Sequence, residues 1–158
     1  MNLDKLENLI SYNFKSKDLL KEALTHRSYL NENPNFALSH NERLEFLGDA
    51  VLELVITDYL YNNYSNPEGE LTNFRAALVN SDMLSKIANE LGLEEFLLMS
   101  KGESKDTGRA RQYILANAVE STIGAIYLDR GYKVAKKFIE ENIVKELPAI
   151  LSSKSYQD

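Results

Sequence analysis

Residues 41–52, Asn-Glu-Arg-Leu-Glu-Phe-Leu-Gly-Asp-Ala-Val-Leu, set three carboxylates inside a largely apolar stretch. Glu42, Glu45 and Asp49 stand at i, i+3 and i+7, positions that an α-helix directs within roughly 60° of one another. A helix that also carries Leu44, Phe46, Leu47, Val51 and Leu52 must bury much of its circumference, so a solvated run of charge does not suit it. Like charges crowded beside a core repel and lose hydration unless a cation compensates them. Mg²⁺ prefers carboxylate oxygens, which makes a divalent metal the simplest compensation. Gly48 costs a helix about 1 kcal/mol relative to Ala. In return it removes a side chain beside Asp49, where another backbone or a ligand can come close.

Helical periodicity extends along nearly the whole chain, and no segment alternates strictly with a period of two. Leu3, Leu6, Leu9 and Ile10 suggest an opening helix; Ser16 is a candidate N-cap for a second that carries Leu19, Leu20, Ala23 and Leu24. Residues 31–40, with Pro34, read as a loop. The acidic helix then spans about 41–64. After the turn at Asn66-Pro67-Glu68-Gly69, a helix is expected from Leu71 to Asn80, and another, capped by Ser81, reaches Leu91 before Gly92. Residues 100–111 form a polar, Gly-containing loop. A long helix follows from about Arg111 to Leu128 and a last one from about Lys133 to Leu147. The expected fold class is all-α, without internal repeats.

At 158 residues the chain can bury a real core, and 44% apolar with 27% charged residues is ordinary for a globular domain. No apolar run approaches the roughly 20 residues that span a bilayer, and the N-terminus lacks the pattern of a signal peptide. The absence of Cys excludes disulfides and thiolate metal sites and fits a reducing cytoplasm. A net charge of −6 (18 − 24) argues against a simple nucleic-acid binder. An acidic protein can still act on RNA if its carboxylates gather metal ions that then face phosphate. No Gly-x-Ser-x-Gly or Walker-type sequence supports acyl or nucleotide chemistry. His26 reads as a hydrogen-bonded structural residue and His40 as solvent-facing.

Asn-Glu-Arg-Leu-Glu-Phe-Leu-Gly-Asp-Ala-Val-Leu at 41–52 resembles the signature of the ribonuclease III endonuclease domain. Three further pieces agree in the same order. They are Ala-Leu-Thr-His-Arg-Ser-Tyr at 23–29, Pro-Glu-Gly-Glu-Leu at 67–71, and Tyr-Ile-Leu-Ala-Asn-Ala-Val-Glu-Ser-Thr-Ile-Gly-Ala-Ile-Tyr-Leu-Asp at 113–129. The resemblance covers about residues 3–150 and implies that family's helical fold, with an endonuclease domain over 1–150. Residues 151–158 read as a linker or tail. Bacterial members usually continue past such a linker into a double-stranded-RNA-binding domain, and the expectation is a catalytic domain of a longer protein.

The resemblance implies metal ligation by Glu45, Asp49, Asn117 and Glu120, with Asp49 and Glu120 the residues most needed for chemistry. The family's pattern most often has Asp at the position of Asn117. Asn offers one neutral carbonyl oxygen and holds Mg²⁺ less strongly. The chemistry is coherent with such a set, because phosphodiester hydrolysis needs an activated water and a neutralised leaving oxygen, and two Mg²⁺ ions about 4 Å apart do both. Mn²⁺ is a possible substitute. Glu42 and Glu68 are secondary: Glu42 orients ligands or forms an ion pair, and Glu68 approaches the partner's site across a dimer. For both, a solvated or salt-bridged glutamate is the alternative.

Segment 101–111 carries Lys101, Lys105, Arg109 and Arg111 against Glu103 and Asp106, a local balance of +2 (4 − 2). It suits contact with RNA phosphates, with a solvated charged loop as the alternative; Arg75 is a further candidate RNA contact. Cutting both strands of a duplex calls for two sites related by a two-fold axis, and the resemblance implies a homodimer. Phe46 is the candidate to insert into the partner, unless it is an ordinary core residue. The expectation is a cytoplasmic, Mg²⁺-dependent endoribonuclease acting on double-stranded RNA and, as the resemblance implies, leaving 5′-phosphate and 3′-hydroxyl ends with short 3′ overhangs. Asn117 sustains an alternative: an RNA-binding or ribosome-associated protein with the same fold and little catalysis.

Overall fold

Two helices of 22 residues, α4 (Glu42–Asn63) and α8 (Arg109–Arg130), cross at the centre of the molecule. Both are apolar on several sides, as helices surrounded by neighbours must be. In the computed structural model, which describes residues 2–153, α8 packs against α2 (Lys17–Ala23), α4, α6 (Ser81–Leu91) and α9 (Tyr132–Asn142). Its buried face alternates bulk with small residues: Ile114, Leu115, Val119, Ile123 and Ile126 among Ala116, Ala118, Gly124 and Ala125. Leu52, Val55 and Ile56 of α4, Leu84 and Ile87 of α6, and Phe138 and Ile139 of α9 complete the core. The remaining helices are α1 (Leu3–Ile10), α3 (Arg27–Glu32), α5 (Glu68–Val79), α7 (Lys101–Lys105) and α10 (Leu147–Ser152), with 3-10 turns at Leu93–Phe96 and Val144–Glu146. Among the described residues the only extended pairing is a single bridge, Thr25 to Leu98, so the chain is all-α as expected.

Several boundaries differ from the sequence reading, each for a local reason. Residues 27–32 are helical because His26 caps them, its Nδ1 accepting from the Ser28 N–H at 3.1 Å. Helix α5 begins at Glu68, since Pro67 already has a helix-compatible φ of −61° and its carbonyl accepts from Leu71. Asn80, rather than Ser81, caps α6 by accepting from Met83 N at 2.8 Å. The polar segment contains α7 and lets α8 start at Arg109. The last expected helix breaks after Asn142 so that Ile143, with no exposed surface, turns into the core, and Pro148 then fits the first turn of α10. Ser16 precedes α2 without a side-chain cap; its N–H donates instead to Asp129. Of the expected tail, Leu151 and Ser152 finish α10, and residues 154–158 lie outside the described residues.

Candidate active site

Gly48 and Gly124 set the distance between α4 and α8. A Cβ on Gly48 would lie 1.7 Å from the carbonyl oxygen of Glu120 and 2.9 Å from the Gly124 nitrogen. A Cβ on Gly124 would lie 2.3 Å from the Leu44 carbonyl oxygen. The two backbones therefore touch where any side chain would wedge them apart. Because Asp49 follows Gly48 and Glu120 itself forms part of the contact, the crossing apposes a carboxylate from each helix.

Glu42, Glu45, Phe46, Asp49 and Glu120 line one surface depression of about 420 Å³. Asn117 sits half-buried on α8, one turn before Glu120. Burial, a hydrogen bond with Asp49 and the charges of Asp49, Glu45 and Glu53 push the Glu120 carboxyl up to about 9. Burial also raises Glu45, reinforced by Glu42 and Asp49. Only Glu42 of the four has basic side chains beside it: Arg27 at 3.5 Å, and His40, whose Nδ1 lies 3.3 Å from the carboxylate and accepts from the Glu42 N–H. Among the described residues no Lys, Arg or His pairs with Glu45, Asp49 or Glu120. Crowding and burial thus disfavour ionisation of Glu45 and Glu120, and hard oxygen donors are the ligand type that divalent cations prefer. Among the described residues no group of three or more acids or histidines is placed to hold a metal ion.

The other expected site residues lie elsewhere on the protomer. Glu68 is exposed and, with Arg75, lines a separate cavity of about 450 Å³ between α4 and α5. Arg75 is half-buried and donates to Thr57 Oγ1 at 2.9 Å. Lys101, Lys105 and Arg109 are exposed around the start of α8. Arg111 is not a free RNA contact: it is 7% exposed and bound to Glu94 at 2.5 Å. It follows Arg109 by two residues and so faces the opposite side of the helix. Phe46 is 83% exposed, which removes the core alternative within the protomer. His26 has its pKa lowered by burial, consistent with its capping role. The sequence reading missed the residues that hold the basic segment, Ser28, Glu32 and Glu94; Glu32 and Glu94 lie within helical segments of six and four residues, too short to show a helical period.

The Ribonuclease-III-like family model matches residues 16–147. Ribonuclease 3 of Oceanobacillus iheyensis is 48% identical over 148 residues, covering 93% of this chain and 65% of that relative. The nuclease domain of ribonuclease III from Campylobacter jejuni superposes with a TM-score of 0.82 at 45% identity, over 93% of this chain and 97% of that one. A second structure of that domain, in which a region involved in dimer formation is flexible, gives a TM-score of 0.79 at 46% identity over 89% and 98% of the two chains. The chain thus spans somewhat less than two thirds of the length of the curated relative it matches.

Proposed function

Since the chain belongs to the ribonuclease III family, we propose that it is a metal-dependent endoribonuclease domain hydrolysing phosphodiester bonds in double-stranded RNA. The products are 5′-phosphate and 3′-hydroxyl ends with short 3′ overhangs. The observation that carries this reading is the uncompensated carboxylate set shared by two touching helices, Glu45 and Asp49 from α4 and Glu120 from α8. Glu45, Asp49, Glu120 and the neutral carbonyl of Asn117 would hold Mg²⁺, with Mn²⁺ as a substitute. When bound, the metal supplies an activated water at neutral pH and neutralises charge on the leaving oxygen. Asp49 and Glu120, which share a hydrogen bond, would orient that chemistry, and as carboxylates they would have to be deprotonated to hold the metal. Arg27 and His40 hold Glu42 at the rim.

The partner is a second copy of the chain. Phe46, Leu54 and Tyr61, 83%, 57% and 78% exposed, fall within roughly 80° on α4 and form an apolar stripe beside the acidic face. A stripe of this kind suits a two-fold interface, and the related Campylobacter domain has a region involved in dimer formation. Glu68 then lies beside the partner's depression. Lys101, Lys105 and Arg109 supply the cations that an acidic protein needs to meet phosphate. No helix among the described residues is long and apolar enough to cross a membrane, and the proposed setting is the cytoplasm.

The test is incubation of the chain with long duplex RNA, single-stranded RNA and duplex DNA, each with Mg²⁺ and with EDTA. The reading requires 5′-phosphorylated fragments from duplex RNA with Mg²⁺ alone. Equal cutting of all three substrates, or cutting in EDTA, contradicts it.

A further inference from the structure

Helix α7 is five residues long and buries none of them, far below the length at which an isolated helix persists in water. Side chains from other elements fix it at both ends. At its start, Ser28 Oγ accepts from the Ser100 N–H at 2.9 Å, and both oxygens of Glu32 accept from the Lys101 N–H at 3.2 Å. At its end, Nη2 of Arg111 donates to the carbonyls of Glu103 (3.1 Å) and Ser104 (2.9 Å), while Nη1 donates to Glu94 on the 3-10 turn. Nε of Arg111 is buried with no acceptor among the described residues, so the guanidinium is not placed for its own solvation. A planar fork can grip two carbonyls and a carboxylate at once. The single ammonium of lysine lacks that geometry.

We infer that Arg111 is a positioning residue for nucleic-acid backbone: by clamping the C-terminal carbonyls of α7 against Glu94, it presents Lys101 and Lys105 to duplex phosphates as a fixed pair. Both lysines are exposed, and α7 leads directly into α8, along which Glu120 lies eleven residues beyond Arg109, about 16 Å. Cations held in place lose less freedom on binding than cations on a loose loop. This rests on the duplex-RNA reading above, but the clamp itself is measurable without RNA.

The experiment compares the parent chain with Arg111→Lys, Glu32→Ala and the double variant Lys101→Ala/Lys105→Ala. Hydrogen exchange of the 101–105 amides without RNA should quicken at least tenfold in Arg111→Lys and Glu32→Ala, with α4 and α8 amides unchanged. In steady-state cleavage of duplex RNA, both should raise KM about tenfold while kcat stays within twofold. Their salt dependence of binding should flatten to that of the lysine-free variant. Adding Arg111→Lys to the lysine-free variant should weaken binding no further. Additive losses, or unchanged exchange across 101–105, overturn the proposal. If Arg111→Lys melts globally, the exposed Glu32→Ala decides by the same criteria. A parent chain that neither binds nor cuts duplex RNA overturns the reading on which the partner rests, while exchange still judges the clamp by itself.

Discussion

Gly48 and Glu120 are in backbone contact across two helices, so close that a Cβ on Gly48 would lie 1.7 Å from the Glu120 carbonyl oxygen. The site's geometry is therefore set by a missing methyl group. Helix propensity alone would make Gly48→Ala stabilising by about 1 kcal/mol. Forcing a side chain into the crossing costs about 1–3 kcal/mol or more, and the contact wins. Gly48→Ala should lower stability in urea melts and reduce cleavage by about 10²-fold through misplacement of Asp49 against Glu120. A more stable, fully active Ala variant would refute the close crossing.

The joint between the N-terminal helices and α8 titrates in acid. Burial pulls the Asp129 carboxyl upward, but the Ser16 and Lys15 N–H groups and the Tyr12 hydroxyl outweigh it and hold it below its ordinary 3.8. A depressed carboxylate adds stability above the unfolded value and surrenders it as pH falls through the folded one. Asp129→Asn should cost about 2 kcal/mol at pH 7 and distinctly less at pH 3. Melts at the two pH values measure the difference; an equal cost at both would show that charge plays no part.

Phe46 projects from α4 with 83% of its surface exposed. Removing an aromatic anchor from the centre of an interface costs about 2 kcal/mol, or roughly 30-fold in dimer dissociation. Sedimentation equilibrium of Phe46→Ala should show that shift with the fold intact. A monomeric parent at micromolar concentration would remove the two-fold site.

The acidic set was legible because helical spacing is geometry: Glu42, Glu45 and Asp49 can converge only on a helix, and Gly48 beside them signalled a close approach. What spacing cannot reveal is which backbone arrives, and that proved to be the Glu120 turn of α8. Arg111 was misjudged as surface because its partner Glu94 lies 17 residues away, on a turn with no periodicity of its own. Helix α7 was read as part of a loop for the same reason: its ends are held by polar contacts from distant elements rather than by an apolar face. The break after Asn142 carries no Gly or Pro; burial of Ile143 decides it.

Asn117 is a neutral donor one turn from Glu120. Asn117→Asp adds a carboxylate to a crowded set, so it should lower the Mg²⁺ concentration for half-maximal cleavage and lower the melting temperature in EDTA. Mg²⁺ titrations and melts of both forms test the two effects together. Catalysis appearing only in the Asp form would identify Asn117 as a silencing substitution.

We propose Glu120 as the carboxylate that would join both helices to the metal. Metal-free Glu120 is largely protonated at neutral pH, its carboxyl being pushed up to about 9, so Gln is close in shape and charge to the state it replaces. The most direct measurement is cleavage of long duplex RNA across a Mg²⁺ titration, run in parallel for the parent and Glu120→Gln, with melts in EDTA. The account predicts Mg²⁺-dependent cutting by the parent, none by Glu120→Gln at any Mg²⁺ concentration, and a melting temperature in EDTA that is unchanged or higher. Cleavage by Glu120→Gln within a few-fold of the parent would contradict it.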